Sequence, residues 1–314
     1  MPPPPLHPTP AARRAGLLWG LVGVASFSLT LPATRIAVAH LDPVVVGLGR
    51  AVVAGVLAAI ALAVARAPFP GRALLPRLAL VAAGVIVGFP LLTAWAMQRV
   101  PAAHGAVVIG LLPLATAAAG AWLAHERPSR RFWASAVFGS AVVVGFALWQ
   151  GGGAPHPADA LLLLAVAAAA IGYAEGGRLA RTLGGWQVIS WALVLAAPLM
   201  AIPTVASLDA RMLAAPPEAW AGFAYVSVVS MFLGFFAWYR GLALGGIAAV
   251  GQVQLLQPFL TIFASALLLR ERIDAATLVC AALVIASIAI GRRGDATPAI
   301  DPPPASPRSP PAGS

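Results

Sequence analysis

The sequence predicts an all-α polytopic membrane protein, with ten transmembrane helices arranged as two inverted five-helix repeats. Composition, the placement of charge and an internal repeat carry that prediction. Of the 314 residues, 60% are hydrophobic and only 10% charged, and the mean hydropathy is +0.89. A soluble domain carries about 25% charged residues, so there are too few here to build a water-facing surface. Uncharged runs cover 15–34, 78–98, 132–158, 182–208, 219–239, 241–269 and 275–291. Most are long enough to cross about 30 Å of hydrocarbon. Stretches near 44–65, 101–124 and 159–177 bring the expected spans to ten. The apolar character is continuous rather than alternating, which favours helices over a β-barrel.

Charge supplies the orientation. The net charge is +10 and all twenty basic residues are Arg. A nucleic-acid partner would need a water-exposed basic face, yet these Arg sit mostly at span ends, where they act as a topology signal. With a cytoplasmic N-terminus, the cytoplasmic side holds fourteen: Arg13, Arg14, Arg66, Arg72, Arg77, Arg127, Arg130, Arg131, Arg178, Arg181, Arg240, Arg292, Arg293 and Arg308. The opposite side holds four, Arg99, Arg211, Arg270 and Arg272, while Arg35 and Arg50 lie inside or near the ends of spans. The expected localisation is therefore a multi-pass protein of the cell inner (plasma) membrane with both termini cytoplasmic. Residues 1–14 and 293–314 are Pro-rich and short of apolar groups, so both tails are expected to be disordered. The repeats are expected at 15–149 and 150–292. A signal peptide over 13–39 fits poorly, because its apolar run exceeds the usual 7–15 residues and cleavage would break the five-plus-five symmetry.

The repeat itself is LLPLATAAAGAWLAHER at 111–127, returning as LQPFLTIFASALLLRER at 256–272 with eight of seventeen positions identical. Pro113 meets Pro258, Thr116 meets Thr261, and Glu126-Arg127 meets Glu271-Arg272, in a chain with only four Glu. An odd number of crossings separates the copies, so they must lie in opposite orientations, as in secondary transporters. Each proline falls about twelve residues, roughly 18 Å, into its span, near the bilayer centre from opposite faces. Proline removes a helical hydrogen bond, and the freed carbonyls require protein or a watery cavity beside them. The Glu-Arg pairs read as structural anchors closing these helices, with Arg serving the last turn.

These residues resemble the EamA-type families of the drug/metabolite transporter superfamily. Trp19-Gly20 in span one, Arg50 after an Asp42-Pro43 turn, and Ala-Leu-Gly-Gly at 243–246 add to the likeness, which covers about 15–292. The resemblance implies ten helices around a central cavity, alternating access, and cargo drawn from amino acids, sugars, amines and other metabolites. Members are often exporters of the bacterial inner membrane. The second repeat departs from the pattern where Arg50 should recur, since the residues around Val194 are not basic.

Polar groups within the membrane are expensive and mark candidate sites. Span nine carries Gln252, Gln254 and Gln257. At 100° per residue, Gln254 and Gln257 lie about 60° apart on one face, with Gln257 at the midplane beside Pro258. Lining of a cavity and helix–helix hydrogen bonding both suit them. Arg50 sits about seven residues, roughly 10 Å, into span two. There it can receive an anionic group such as a carboxylate, or anchor by bonding carbonyls or snorkelling outward. His104, near the outer end of span four, is a candidate proton switch or an interfacial, satisfied His. Glu175 has Arg178 three residues on, which suits a local ion pair. Trp95, Tyr173, Trp191, Trp238 and Tyr239 could wall a cavity or belong to interface belts.

The expected function is secondary transport of small metabolites, with export by alternating access. The alternative is a lipid scramblase or flippase, which would carry polar residues on its outer helix faces. An enzyme is not expected, because HExxH, GxSxG, paired intramembrane Asp and Cys/His clusters are missing from the sequence. No Lys is present, so no ATP-binding GxxxxGK[ST] loop can form, and no cofactor, metal or ATPase subunit is expected. The partners are a small-molecule substrate and the lipid bilayer, with no nucleic acid.

Overall fold

A computed structural model describes residues 10–124, 130–150, 156–245 and 247–293. Among them the main helices group into ten spans, and there is no strand. Span one comprises Pro10–Ser28 and Thr30–Val38, and span two Val45–Gly49 and Arg50–Val64. Span three comprises Leu75–Val81, Ala82–Gly88 and Phe89–Met97, and span four Ala102–Ile109 and Leu112–Ala124. Spans five, six and seven are Arg130–Gln150, Pro157–Leu183 and Gly185–Ala206. Span eight comprises Pro217–Ala224, Tyr225–Leu233 and Gly234–Gly245. Span nine comprises Ile247–Gly251, Gln252–Leu256 and Gln257–Leu269, and span ten is Ala275–Arg293. Seven of the ten are long and apolar enough to cross a membrane on those grounds alone. Short connections make successive spans antiparallel, and five is odd, so the second repeat is inverted against the first.

The pairing of spans obeys that inversion. Span one packs on span eight and span three on span six, while two packs on seven, four on nine and five on ten. This is the pattern a two-fold axis demands: if the first helix of one repeat meets the third of the other, the reverse contact must also form. Small residues permit the closest crossing. A Cβ on Gly16 would lie 2.5 Å from the Gly245 nitrogen and 2.6 Å from its Cα, so spans one and eight touch backbone to backbone. Outward faces carry exposed apolar side chains such as Val56, Ile60, Leu199, Ile202, Phe263 and Leu267, as a lipid-facing surface requires.

Several spans depart from regular α-helix, each for a local reason. Span one breaks at Leu29, three residues before Pro32, whose ring carries no N–H for the Ser28 carbonyl. Span four breaks at Gly110–Leu111 just ahead of Pro113. In span nine a 3₁₀ run, Gln252–Leu256, precedes the helix that Pro258 opens. The two breaks meet, for a Cβ on Gly110 would stand 3.3 Å from Pro258 Cγ. Spans two, three and eight each contain a π-helical stretch, Val45–Gly49, Ala82–Gly88 and Tyr225–Leu233, a form frequent at functional sites. The first helix begins at Pro10, inside the segment expected to be disordered, because proline suits the first position of a helix. The rest of the expected tails, 1–9 and 294–314, lies outside the described residues.

Candidate functional site

The breaks and π stretches gather around one cavity in the middle of the bundle. Its wall draws on seven spans: Phe27, Thr30 and Leu31 of span one, Arg50 of two, Val85 and Phe89 of three, and Ile109 of four. The second repeat adds Ala169 and Tyr173 of span six, Ser230 and Phe235 of span eight, and Gln257 of span nine. The walls nearly meet, leaving room for little more than a water molecule.

Among the described residues of this wall Arg50 is the one charged side chain, with 2% of its surface exposed. It begins the α-helix that follows the π turn of span two, and that wider turn sets the phase that aims it inward. Its Nη2 donates a long 3.4 Å hydrogen bond to Ser230 Oγ, while Nε and Nη1 find no protein acceptor. The outward-snorkelling and carbonyl-bonded alternatives are thus not what the structure adopts. Ser230 Oγ also lies 2.8 Å from Thr30 Oγ1, joining the two repeats by a hydroxyl pair. Around them sits an aromatic cluster. Phe27 stacks on Tyr173 at 6.3 Å and meets Phe235 at 5.0 Å, and Trp238 backs Tyr173 at 5.5 Å.

Of the residues singled out from the sequence, Arg50, Tyr173 and Gln257 line the cavity. Gln254 is buried with neither end of its amide bonded and is not in the wall. The run Gln252–Leu256 is 3₁₀ rather than α, so the α-helical angle expected between Gln254 and Gln257 does not apply. Of Gln252 only the backbone is described. Trp238 is fully buried one layer behind the wall, its Nε1 without a partner. Tyr239, equally buried, donates its hydroxyl to the Gly172 carbonyl at 3.2 Å and belongs to no interface belt. Trp191 is half-buried edge-on to Phe69 at 5.4 Å, and Trp95 is half-buried away from the cavity. Thr30, Ser230, Phe27, Phe89 and Phe235 were not distinguishable in the sequence. Their only signal was an occasional hydroxyl in an apolar run, which membrane helices use widely for packing.

His104 lies outside the cavity wall, near the start of span four. Its Nε2 lies 2.7 Å from Asp159 Oδ1, both side chains almost fully buried, and its ring packs on Phe146 at 5.3 Å. Asp159 accepts at Oδ2 from the His156 backbone N–H at 3.0 Å, so one carboxylate both caps span six and holds span four. Glu271 works similarly. It accepts from the Ala102 N–H at 3.0 Å and the Ala103 N–H at 3.1 Å, and Arg35 Nε approaches it to 3.4 Å. In this turn the Glu, rather than the Arg, serves a helix end, and that end belongs to a neighbouring span. The reason is that unpaired N–H groups and a positive dipole gather where span four starts. Glu126-Arg127 lies outside the described residues. Glu175, roughly 24 Å along span six from Asp159, pairs with Arg178 at 3.2 Å and also with Arg77 of span three. The ties His104–Asp159, Glu271 with Ala102, Ala103 and Arg35, and Arg77–Glu175 join the first repeat to the second, on either side of the cavity.

A lateral groove between spans four, five and six is lined by Ala115, Ala118, Ala119, Ala121, Trp122, Trp133, Ala167, Ala170 and Ile171. Among the described residues lining it, none is charged.

Comparison with known proteins agrees with this architecture. The EamA-like transporter family matches twice, over residues 14–148 and 156–291. The chain is 48% identical over 278 residues to the uncharacterized transporter YdeK of Bacillus subtilis (strain 168), covering 88% of this chain and 97% of that one. A solved crystal structure aligns with a TM-score of 0.65 at 19% identity, over 89% of this chain and 98% of its own.

Proposed function

We propose, from the premise that the chain belongs to the EamA-like transporter family, that it exports small metabolites across the bacterial inner membrane by alternating access. The solutes are amino acids and related compounds. The observation that carries this reading is the cavity walled by both repeats at the point where their broken helices meet. Ties between the repeats flank it: His104–Asp159 and Glu271 toward one end, Arg77–Glu175 toward the other. Releasing one set while keeping the other would open the cavity to one side at a time, as a carrier must. The Arg distribution supports cytoplasmic termini, which puts the Glu175 cluster on the cytoplasmic side and Glu271 outside. The gradient driving transport comes from elsewhere, since the chain has no nucleotide-binding loop.

The test is resistance. Expression in a sensitive host is expected to raise tolerance to one or more members of a panel of amino acids, their analogues and amines. Gln257→Leu is expected to abolish that tolerance while inserting normally into the membrane. A Gln257→Leu protein that transports like the wild type removes span nine from the site. Proteoliposomes that move nothing across the panel overturn the transport reading itself.

A further inference from the structure

Resting on that reading, we infer that the central cavity recognises its cargo through a carboxylate received by Arg50, and that the side chain of the cargo is apolar. The guanidinium has five N–H donors, and the protein engages them with a single long contact, 3.4 Å to Ser230 Oγ. Nε and Nη1 meet no protein acceptor although the side chain is almost wholly buried. A buried cation left without acceptors costs the fold heavily. Yet Arg50 neither snorkels nor binds backbone carbonyls, and it points into the cavity shared by both repeats.

The charge and shape of the wall narrow the ligand class. Among the described residues lining the cavity, none is Asp or Glu, so a cationic amine would face Arg50 with no compensating charge. A phosphate dianion would leave one negative charge in excess beside a single cation, whereas a carboxylate balances it. The planar fork of a guanidinium also matches two carboxylate oxygens. The same wall carries Phe27, Phe89, Phe235 and Leu31, which favour an aromatic or branched aliphatic remainder. Simple amines therefore drop out of the substrates that family resemblance admits. Amino acids remain, because Gln257 Oε1 and the hydroxyls of Thr30 and Ser230 are acceptors in the same wall.

The experiment uses matched sets of acid, amide and amine built on phenyl and branched aliphatic groups, for example 3-phenylpropanoate, 3-phenylpropanamide and 3-phenylpropan-1-amine. Thermal unfolding of the purified full-length protein in detergent and counterflow in proteoliposomes are read for each. The acid is expected to raise the unfolding temperature and to exchange, and its amide and amine to do neither. Arg50→Gln is expected to weaken acid binding about tenfold to a hundredfold, the loss of a charged hydrogen-bonded contact, with Arg50→Lys in between. The inference is overturned if an amide or amine matches its acid, if Arg50→Gln binds the acid as well as the wild type, or if the vesicles carry other solutes but no acid. In that last case the transport reading survives, whereas vesicles that carry nothing sink both. Should Arg50→Gln fail to fold, the wild-type acid, amide and amine series decides alone.

Discussion

Thr261 Oγ1 donates a 2.8 Å hydrogen bond to the carbonyl oxygen of Ser28, 233 residues earlier in the chain. That carbonyl is the one Pro32 leaves without a helical N–H donor, so the break in span one is sealed by a hydroxyl from span nine. The equivalent Thr116 in span four is buried with no partner. The pseudo-symmetry of the backbone is therefore used asymmetrically.

Thr261→Val keeps the shape and removes the donor, so it should destabilise the protein by about 1–3 kcal/mol, the cost of an unsatisfied buried carbonyl. Pro32→Ala restores the backbone N–H, and in that background the penalty should shrink. A double-mutant cycle on thermal unfolding in detergent checks this, and equal penalties in both backgrounds contradict it.

Asp159→Ala should cost more than His104→Gln. The Ala variant removes both the His104 contact and the acceptor for the His156 N–H, together about 2 kcal/mol or more. The Gln variant leaves the cap intact. Comparing the unfolding midpoints of the two variants with the wild type tests the order.

Glu271→Ala should free the Ala102 and Ala103 N–H groups and Arg35 together, a loss of about 1–2 kcal/mol for the cap. It should also loosen the N-terminal end of span four. A cysteine placed at position 103, where the wild-type residue is 6% exposed, should then react faster with a polar thiol reagent than it does with Glu271 in place.

Gly16→Leu should be among the most damaging single changes, because its side chain would enter the Gly245 backbone and force spans one and eight apart. Yield of folded protein on size-exclusion chromatography is the measurement. Gly71→Ala offers a contrast: its surroundings are open within 4 Å, and only its φ of +86° opposes the change, for about 1 kcal/mol.

Single cysteines at positions 128 and 273, in a Cys280→Ala background, should label from opposite sides of the membrane. Labelling from one side would contradict the inversion.

How far the site was legible depended on the kind of residue. Pro113, Pro258, Arg50 and Gln257 stood out because a helix breaker, a cation or an amide in hydrocarbon is conspicuous in a string of letters. Asp159 escaped notice because a carboxylate at the start of a helix reads as a cap, and nothing along the chain announces a histidine 55 residues upstream. Trp95, Trp191 and His104 were visible as candidates but lie away from the cavity, since an aromatic ring or an imidazole serves belts, packing and pairing equally well.

Composition, Arg placement and the seventeen-residue repeat were enough to determine a membrane protein of ten spans in two opposed halves, because hydrophobic length and charge sidedness are local properties that add along the chain. Which faces of those spans turn inward was decided only by the tertiary structure. The π turns before Arg50 and within span eight, and the 3₁₀ run between Gln254 and Gln257, shift the helical phase away from 100° per residue. The π turns bring Arg50 and Ser230 to Thr30 across the two repeats, a meeting of helices far apart in sequence.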